Sequence, residues 1–171
     1  MPGKGTGIYG RRVVSGAAGE GKEVEANLPF YSKLQGGEAS IKKIITALTV
    51  TKIKAKIPLS KWMNKLDHGQ VIANTYQRPI VFISTESSGT FLPSRLGPRD
   101  ENVILNPLYL LHVDGNHWTL PLVQAVNDIK PIPPILGSNK LASQRLHDRA
   151  WKAELKKELD LYNQELKKKA P

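Results

Sequence analysis

Two β-rich runs, Leu108-Tyr109-Leu110-Leu111-His112-Val113 and Asn116-His117-Trp118-Thr119-Leu120-Pro121-Leu122-Val123, are separated only by Asp114-Gly115. No other stretch of the chain limits its fold as tightly. An Asp-Gly pair between such runs signals a two-residue type I′ turn, because both turn positions need φ > 0 and these residues tolerate it. The spacing therefore predicts an antiparallel hairpin over residues 107–123, with His117 near the start of its second strand. Pro121 has no N–H to give to a ladder, so that strand lies at a sheet edge or ends close by.

The segments before the hairpin supply the partners it needs. Ile80-Val81-Phe82-Ile83 is a continuous, mostly β-branched run behind Pro79 and ahead of Ser/Thr/Gly, which predicts a strand over 80–84 buried on both faces. Thr90-Phe91-Leu92 is a candidate for a further short strand. Asp67-His68-Gly69-Gln70 places a capping acid three residues before a Gln, and Val71, Ile72, Thr75 and Tyr76 follow, so a helix is expected over 67–77. Ile41, Ile44, Ile45 and Leu48 recur at i, i+3, i+4, i+7 and predict a helix over 38–50, with Lys42 and Lys43 beside its apolar face.

Beyond Pro131-Ile132-Pro133-Pro134, the spacing of Trp151, Leu155, Leu159, Tyr162 and Leu166 predicts a long amphipathic helix. It ends in Lys167-Lys168-Lys169, where the helix dipole favours cations. This helix either packs back on the domain or pairs with a partner, and its two heptads are too few for a coiled coil. The resulting expectation is an α/β (α+β) fold: a small mixed β-sheet flanked by helices over residues 1–135, then a linker and a charged C-terminal helix over 136–171.

Composition removes whole classes of chemistry. The 171 residues include no cysteine, which excludes a disulfide scaffold, a thiolate zinc site, an iron–sulfur cluster and a cysteine nucleophile in this polypeptide. His68, His112, His117 and His147 show no ligand spacing, so neither a metal nor another cofactor is expected. Gly16-Ala17-Ala18-Gly19-Glu20-Gly21-Lys22 matches GxxxxGK, but the next position, where a hydroxyl must reach Mg²⁺, is Glu23, which repels phosphate. A glycine-rich turn explains it better. No apolar run approaches the ~20 residues of a membrane span, and residues 1–10 lack a signal-peptide core. A cytoplasmic or nuclear location and no membrane partner are expected.

The net charge of +10 is concentrated. Residues 40–66 carry seven lysines and no acid, but also no arginine and no aromatic before Trp62. Arginine forks and stacking aromatics are what base and single-strand recognition require, so no specific nucleic-acid partner is expected and a solvated basic face is the plainer reading.

Three stretches carry a resemblance. They are Trp62-Met63 with Gly69-Gln70-Val71-Ile72-Ala73-Asn74-Thr75-Tyr76-Gln77-Arg78-Pro79-Ile80-Val81-Phe82-Ile83-Ser84; Thr90-Phe91-Leu92-Pro93; and Pro107-Leu108-Tyr109-Leu110-Leu111-His112-Val113-Asp114-Gly115-Asn116-His117-Trp118. Together they resemble the ovarian-tumour (OTU) family of deubiquitinating cysteine proteases, in the form carried by transposon-derived genes. The first is similar to the family's helix and central strand, and the last to the hairpin presenting its catalytic histidine. The Pro-Ile-Pro-Pro stretch and Trp151 are also similar to the transposon-type members.

The resemblance implies an OTU-like cysteine-protease fold acting on ubiquitin, and it also implies that the chemistry is lost. The family's nucleophile loop has the form Asp-Gly-Asn-Cys-Gly followed by Arg-Val-Val or similar. Aligned on Gly7, Gly10 and Arg12-Val13-Val14, the remnant over 5–16 has Thr6 for the acid, Ile8 for the asparagine and Tyr9 for the cysteine. An OTU-type protease needs a thiolate to attack the isopeptide carbonyl and an imidazolium to protonate the leaving amine. Tyr9 is bulky and has an ordinary pKa near 10, so it is a poor substitute. Thr119 stands two beyond the histidine, where the family often holds Asn or Asp to orient it, and is a weaker acceptor.

His117 is thus the retained family base with nothing to activate, and Asn116 and Trp118 beside it are the residues the resemblance assigns to substrate. The implied protein is a pseudoenzyme whose residual partner is ubiquitin or a ubiquitin-like protein, unless it descends from a decayed element with no selected role. Two other readings stand beside it. One is an active hydrolase using Ser15 or Ser84 with His117, although no G-x-S-x-G elbow is present. The other is a basic nucleic-acid-binding module acting through the lysines of residues 40–66.

Overall fold

The computed structural model describes residues 19–49, 58–115, 117–137 and 142–169. The chain divides into two compact units, Met1–Val71 and Ile72–Pro171. Among the described residues there are six helices and a four-stranded mixed sheet, so the expected mixture of helix and sheet is present.

The first unit is helical. Residues 19–26 form α1, followed by α2 (Leu28–Gln35), α3 (Glu38–Leu48), a 3₁₀ turn at Leu59–Lys61 and the start of α4 (Lys65–Tyr76). Neither α1 nor α2 was legible in the sequence, because the glycines before Lys22 mask a pattern that becomes apolar only at Val24, Tyr31 and Leu34. Those three side chains are buried with Ile41, Ile44 and Val71 in one core, and Ile45 and Leu48 pack against it. The helix expected over 38–50 is α3, which ends at Leu48. Between α2 and α3 the chain reverses through Gly36 (φ 84°) and Gly37 (φ 114°), a left-handed stretch that L side chains rarely adopt. The Gly37 N–H closes it onto the Ser32 carbonyl at 2.8 Å.

α4 begins two residues before the position expected from Asp67. Asn64 is the cap: its Oδ1 accepts the N–H groups of Leu66 (2.8 Å) and Asp67 (3.3 Å). Asp67 instead lies in the first turn, where a carboxylate favours the positive end of the helix dipole.

The second unit is built on the sheet, in the order β2-β1-β3-β4. β1 (Ile80–Ile83) pairs antiparallel with β2 (Gly89–Phe91) and parallel with β3 (Leu108–Val113), and β3 pairs antiparallel with β4 (His117–Thr119). Ile80, Val81 and Phe82 are wholly buried, as the unbroken apolar run predicts for a central strand.

The outer side of β2 is also occupied. Its Thr90 N–H donates to the Pro134 carbonyl (2.9 Å), Thr90 Oγ1 donates to the Pro133 carbonyl (2.8 Å), and the Leu136 N–H donates back to Thr90 (2.8 Å). The Pro-Ile-Pro-Pro stretch therefore runs along a sheet edge. Prolines suit that position because this pairing uses their carbonyls and asks for no N–H from them.

One face of the sheet is closed by the C-terminal helices, α5 (Ala142–Glu154) and α6 (Lys156–Lys169). Trp151 and Leu155 share a core with Val81, Leu92, Tyr109 and Ile132, and Leu159 packs against it. The Trp151 indole donates to the Leu96 carbonyl at 2.8 Å, which satisfies the polar atom of a fully buried side chain. Of the two fates expected for this helix, packing back on the domain is therefore realised along Trp151, Leu155 and Leu159. It is not one uninterrupted helix. α5 and α6 meet at Leu155, although its N–H still bonds the Trp151 carbonyl and its own carbonyl still accepts from Leu159.

Candidate functional site at the hairpin

The hairpin turn carries the backbone that Asp-Gly predicts: Asp114 has φ 52° and Gly115 φ 68°. Pairing does not resume where a two-residue turn would place it. Val113 faces His117 and His112 faces Trp118, so the connection is one residue longer and β4 is only three residues before Leu120 and Pro121.

That single residue decides the site. Side chains alternate across a strand, so a shift of one sends each residue to the other face. In a two-residue hairpin His117 would lie opposite His112. In the observed register His117 and Thr119 lie on the face shared by Val113, Leu111 and Tyr109. Trp118 lies on the opposite face.

There Trp118 completes a row of rings. Its indole stacks on His112 with centroids 4.6 Å apart and planes inclined by 30°. It meets Phe82 edge-on at 4.9 Å, and Phe82 meets Phe91 edge-on at 5.8 Å. Four residues from four strands thus form a continuous aromatic row, a geometry worth about 0.5–1.5 kcal/mol per pair beyond simple burial. The resemblance assigns Trp118 to substrate; its place in this row was not legible in the sequence, because only the cross-strand register aligns it with its partners.

Among the residues expected at the site, His117 is exposed at the head of β4, and Thr119 shares its face two residues on, about 7 Å along the strand. Trp118 is turned away from both. Thr6, Ile8, Tyr9, Ser15 and Asn116 lie outside the described residues.

Ser84 follows β1 directly. Since Ile83 is level with Leu111, Ser84 is separated from His117 by the width of β3, about 10 Å across two strand spacings. Its hydroxyl is engaged on both sides by the turn that follows, donating to the Ser87 carbonyl (2.8 Å) and accepting the Ser87 N–H (3.1 Å). A serine held this way is an ST-turn residue two strands from His117, which opposes the Ser84–His117 hydrolase.

Two titratable groups are perturbed by their surroundings. His68, buried in the first turn of α4, accepts the Asn64 N–H at Nδ1 (2.9 Å), and its Nε2 is buried without a partner among the described residues. Burial lowers its pKa, and the Asn64 carbonyl 3.0 Å from Nδ1, which would accept from a protonated ring nitrogen, together with the charge of Asp67, only partly offsets that. Burial, together with Glu158, pushes the Tyr109 phenol up to about 12, and its hydroxyl donates to the Pro131 carbonyl at 3.1 Å. Both groups are neutral and structural at ordinary pH. The described residues contain no group of three or more His, Asp or Glu side chains able to hold a metal ion.

No family model, no curated protein and no solved structure matches the chain.

Proposed function

We propose that the chain is an ovarian-tumour-like domain without peptidase activity, and that its remaining role is to recognise ubiquitin or a ubiquitin-like protein. The observation that carries this reading is the placement of His117. It opens the last strand of a mixed sheet, on a hairpin whose first strand runs parallel to the central strand Ile80–Ile83. That is the strand, hairpin and histidine order on which the resemblance rests.

The absence of cysteine from all 171 residues then decides the chemistry. An imidazole at the sheet edge can hold a proton, but isopeptide cleavage needs a nucleophile strong enough to form the acyl-enzyme. Tyr9, at the family's nucleophile position, is not one, and Thr119 on the same face as His117 is a weak orienting partner. What remains is an exposed polar edge at His117 and Thr119 suited to binding.

A ubiquitin conjugate carrying a fluorophore at its C-terminus tests both parts at once. Anisotropy is expected to rise saturably with protein concentration, while the fluorescence of free fluorophore stays at the buffer rate. Release of fluorophore that disappears in His117→Ala would establish an active hydrolase instead. Unchanged anisotropy would remove ubiquitin recognition.

A further inference from the structure

The basic segment of the first unit contains a feature that a solvated lysine face does not require. On α3 the large apolar residues are used internally, with Ile41 and Ile44 buried. Past it the pattern reverses: Leu59 is 74% exposed, Leu66 65% and Trp62 41%. The 3₁₀ turn that carries Leu59 is tied down. The Trp62 N–H closes it onto the Leu59 carbonyl at 3.0 Å, and the Lys61 ammonium donates to the Thr49 carbonyl at the end of α3. Leu66 is held by the Asn64 cap. Three apolar side chains are therefore presented to solvent, in a part of the sequence, residues 40–66, that carries seven lysines and no acid; Lys42 and Lys43 are exposed on α3, and Lys52, Lys54 and Lys56 lie outside the described residues.

We propose that this surface docks on bilayers carrying anionic phospholipid, with Leu59, Trp62 and Leu66 entering the headgroup boundary and the neighbouring lysines meeting lipid phosphates. Aliphatic side chains, a tryptophan and lysines with long apolar stems are the combination that the interfacial region accommodates. A protein partner fits less well, since lysine is depleted and arginine enriched where proteins meet. Nucleic acid fits less well again, because the segment has no arginine fork and one aromatic. The expectation of no membrane partner rested on the lack of a span. No helix among the described residues is long and apolar enough to cross a membrane, but interfacial docking needs none.

Sedimentation of the full chain with vesicles tests the proposal, using phosphatidylcholine alone and phosphatidylcholine mixed with phosphatidylserine. The protein is expected to sediment with the mixed vesicles, weakly with the neutral ones, and less as salt is raised. Leu59→Gln/Leu66→Gln, at exposed positions and without change of charge, should lower the partition coefficient about tenfold with an unchanged circular dichroism spectrum. Lys42→Gln/Lys43→Gln should lower it by a similar factor of about ten. No sedimentation with mixed vesicles would overturn the proposal. So would equal sedimentation of the leucine variant, which would indicate charge alone, or leucine-dependent binding found on duplex DNA or an acidic polypeptide but not on vesicles.

Discussion

A side chain at position 89 would have nowhere to go. A Cβ built there lies 2.1 Å from Leu136 Cδ1, because the edge segment runs beside β2 at that glycine. Gly89→Ala must move the Leu136 side chain off β2, and a loss of about 1–3 kcal/mol is expected in denaturant unfolding. His68 makes a different kind of prediction. Its pKa is lowered in the folded chain, so its contribution is fully present above the unfolded value of about 6.5 and is lost as pH falls from there through the folded value. Glu20, pushed up to about 7 by burial, acts in the opposite sense, contributing below its unfolded value of 4.5 and losing that as pH rises. The Tm difference between wild type and His68→Gln isolates the histidine: wild type should lose stability relative to the variant as pH drops below about 6.5, and a pH-independent difference would contradict the assignment. At the proposed site, Tyr9→Cys alone should leave ubiquitin–fluorophore turnover at the buffer rate, since Thr6, Ile8 and Thr119 still lack the family's chemistry.

At the level of elements, α4 shows how a sequence signal can be sound and still misplaced. Asp67 with Gln70 resembles a capping box, yet Asn64 holds the free N–H groups because it stands one position before the first helical residue. Asn64→Ala should cost about 1 kcal/mol, and Asp67→Ala, which loses only a charge near the dipole, should cost less. Thermal unfolding of the two variants checks the order. The hairpin gives the parallel lesson. Positive φ at Asp114 and Gly115 was written in the residues, but the pairing of Val113 with His117 was not, because two φ > 0 residues are compatible with either loop length. The register that stacks Trp118 on His112 puts His117 on the other face, and the Phe82 edge that Trp118 also meets comes from a strand far away in sequence. Likewise, the prolines of residues 131–134 announced a break in regular structure but gave no sign that their carbonyls serve Thr90.

For the whole molecule, the mixed sheet, its central apolar strand and a C-terminal helix with one apolar stripe were legible, since each follows from local periodicity. The helical first unit was only half legible, as α1 and α2 draw their burial from Val24, Tyr31 and Leu34, spaced too widely among polar residues to stand out. Trp151 joins the C-terminal helices to the sheet core of the second unit, so Trp151→Ala should cost about 3–5 kcal/mol and lower the unfolding midpoint of that unit. The proposed role is recognition of ubiquitin through the hairpin edge by an ovarian-tumour-like domain without its nucleophile. Titration of the isotopically labelled chain with monoubiquitin, followed residue by residue by NMR, tests it most directly. Saturable shifts are expected, centred on His117–Thr119 and the adjoining end of β3, and reduced when His117 and Thr119 are both replaced by alanine. The absence of shifts at saturating ubiquitin, or shifts confined to surfaces away from the hairpin, would contradict it.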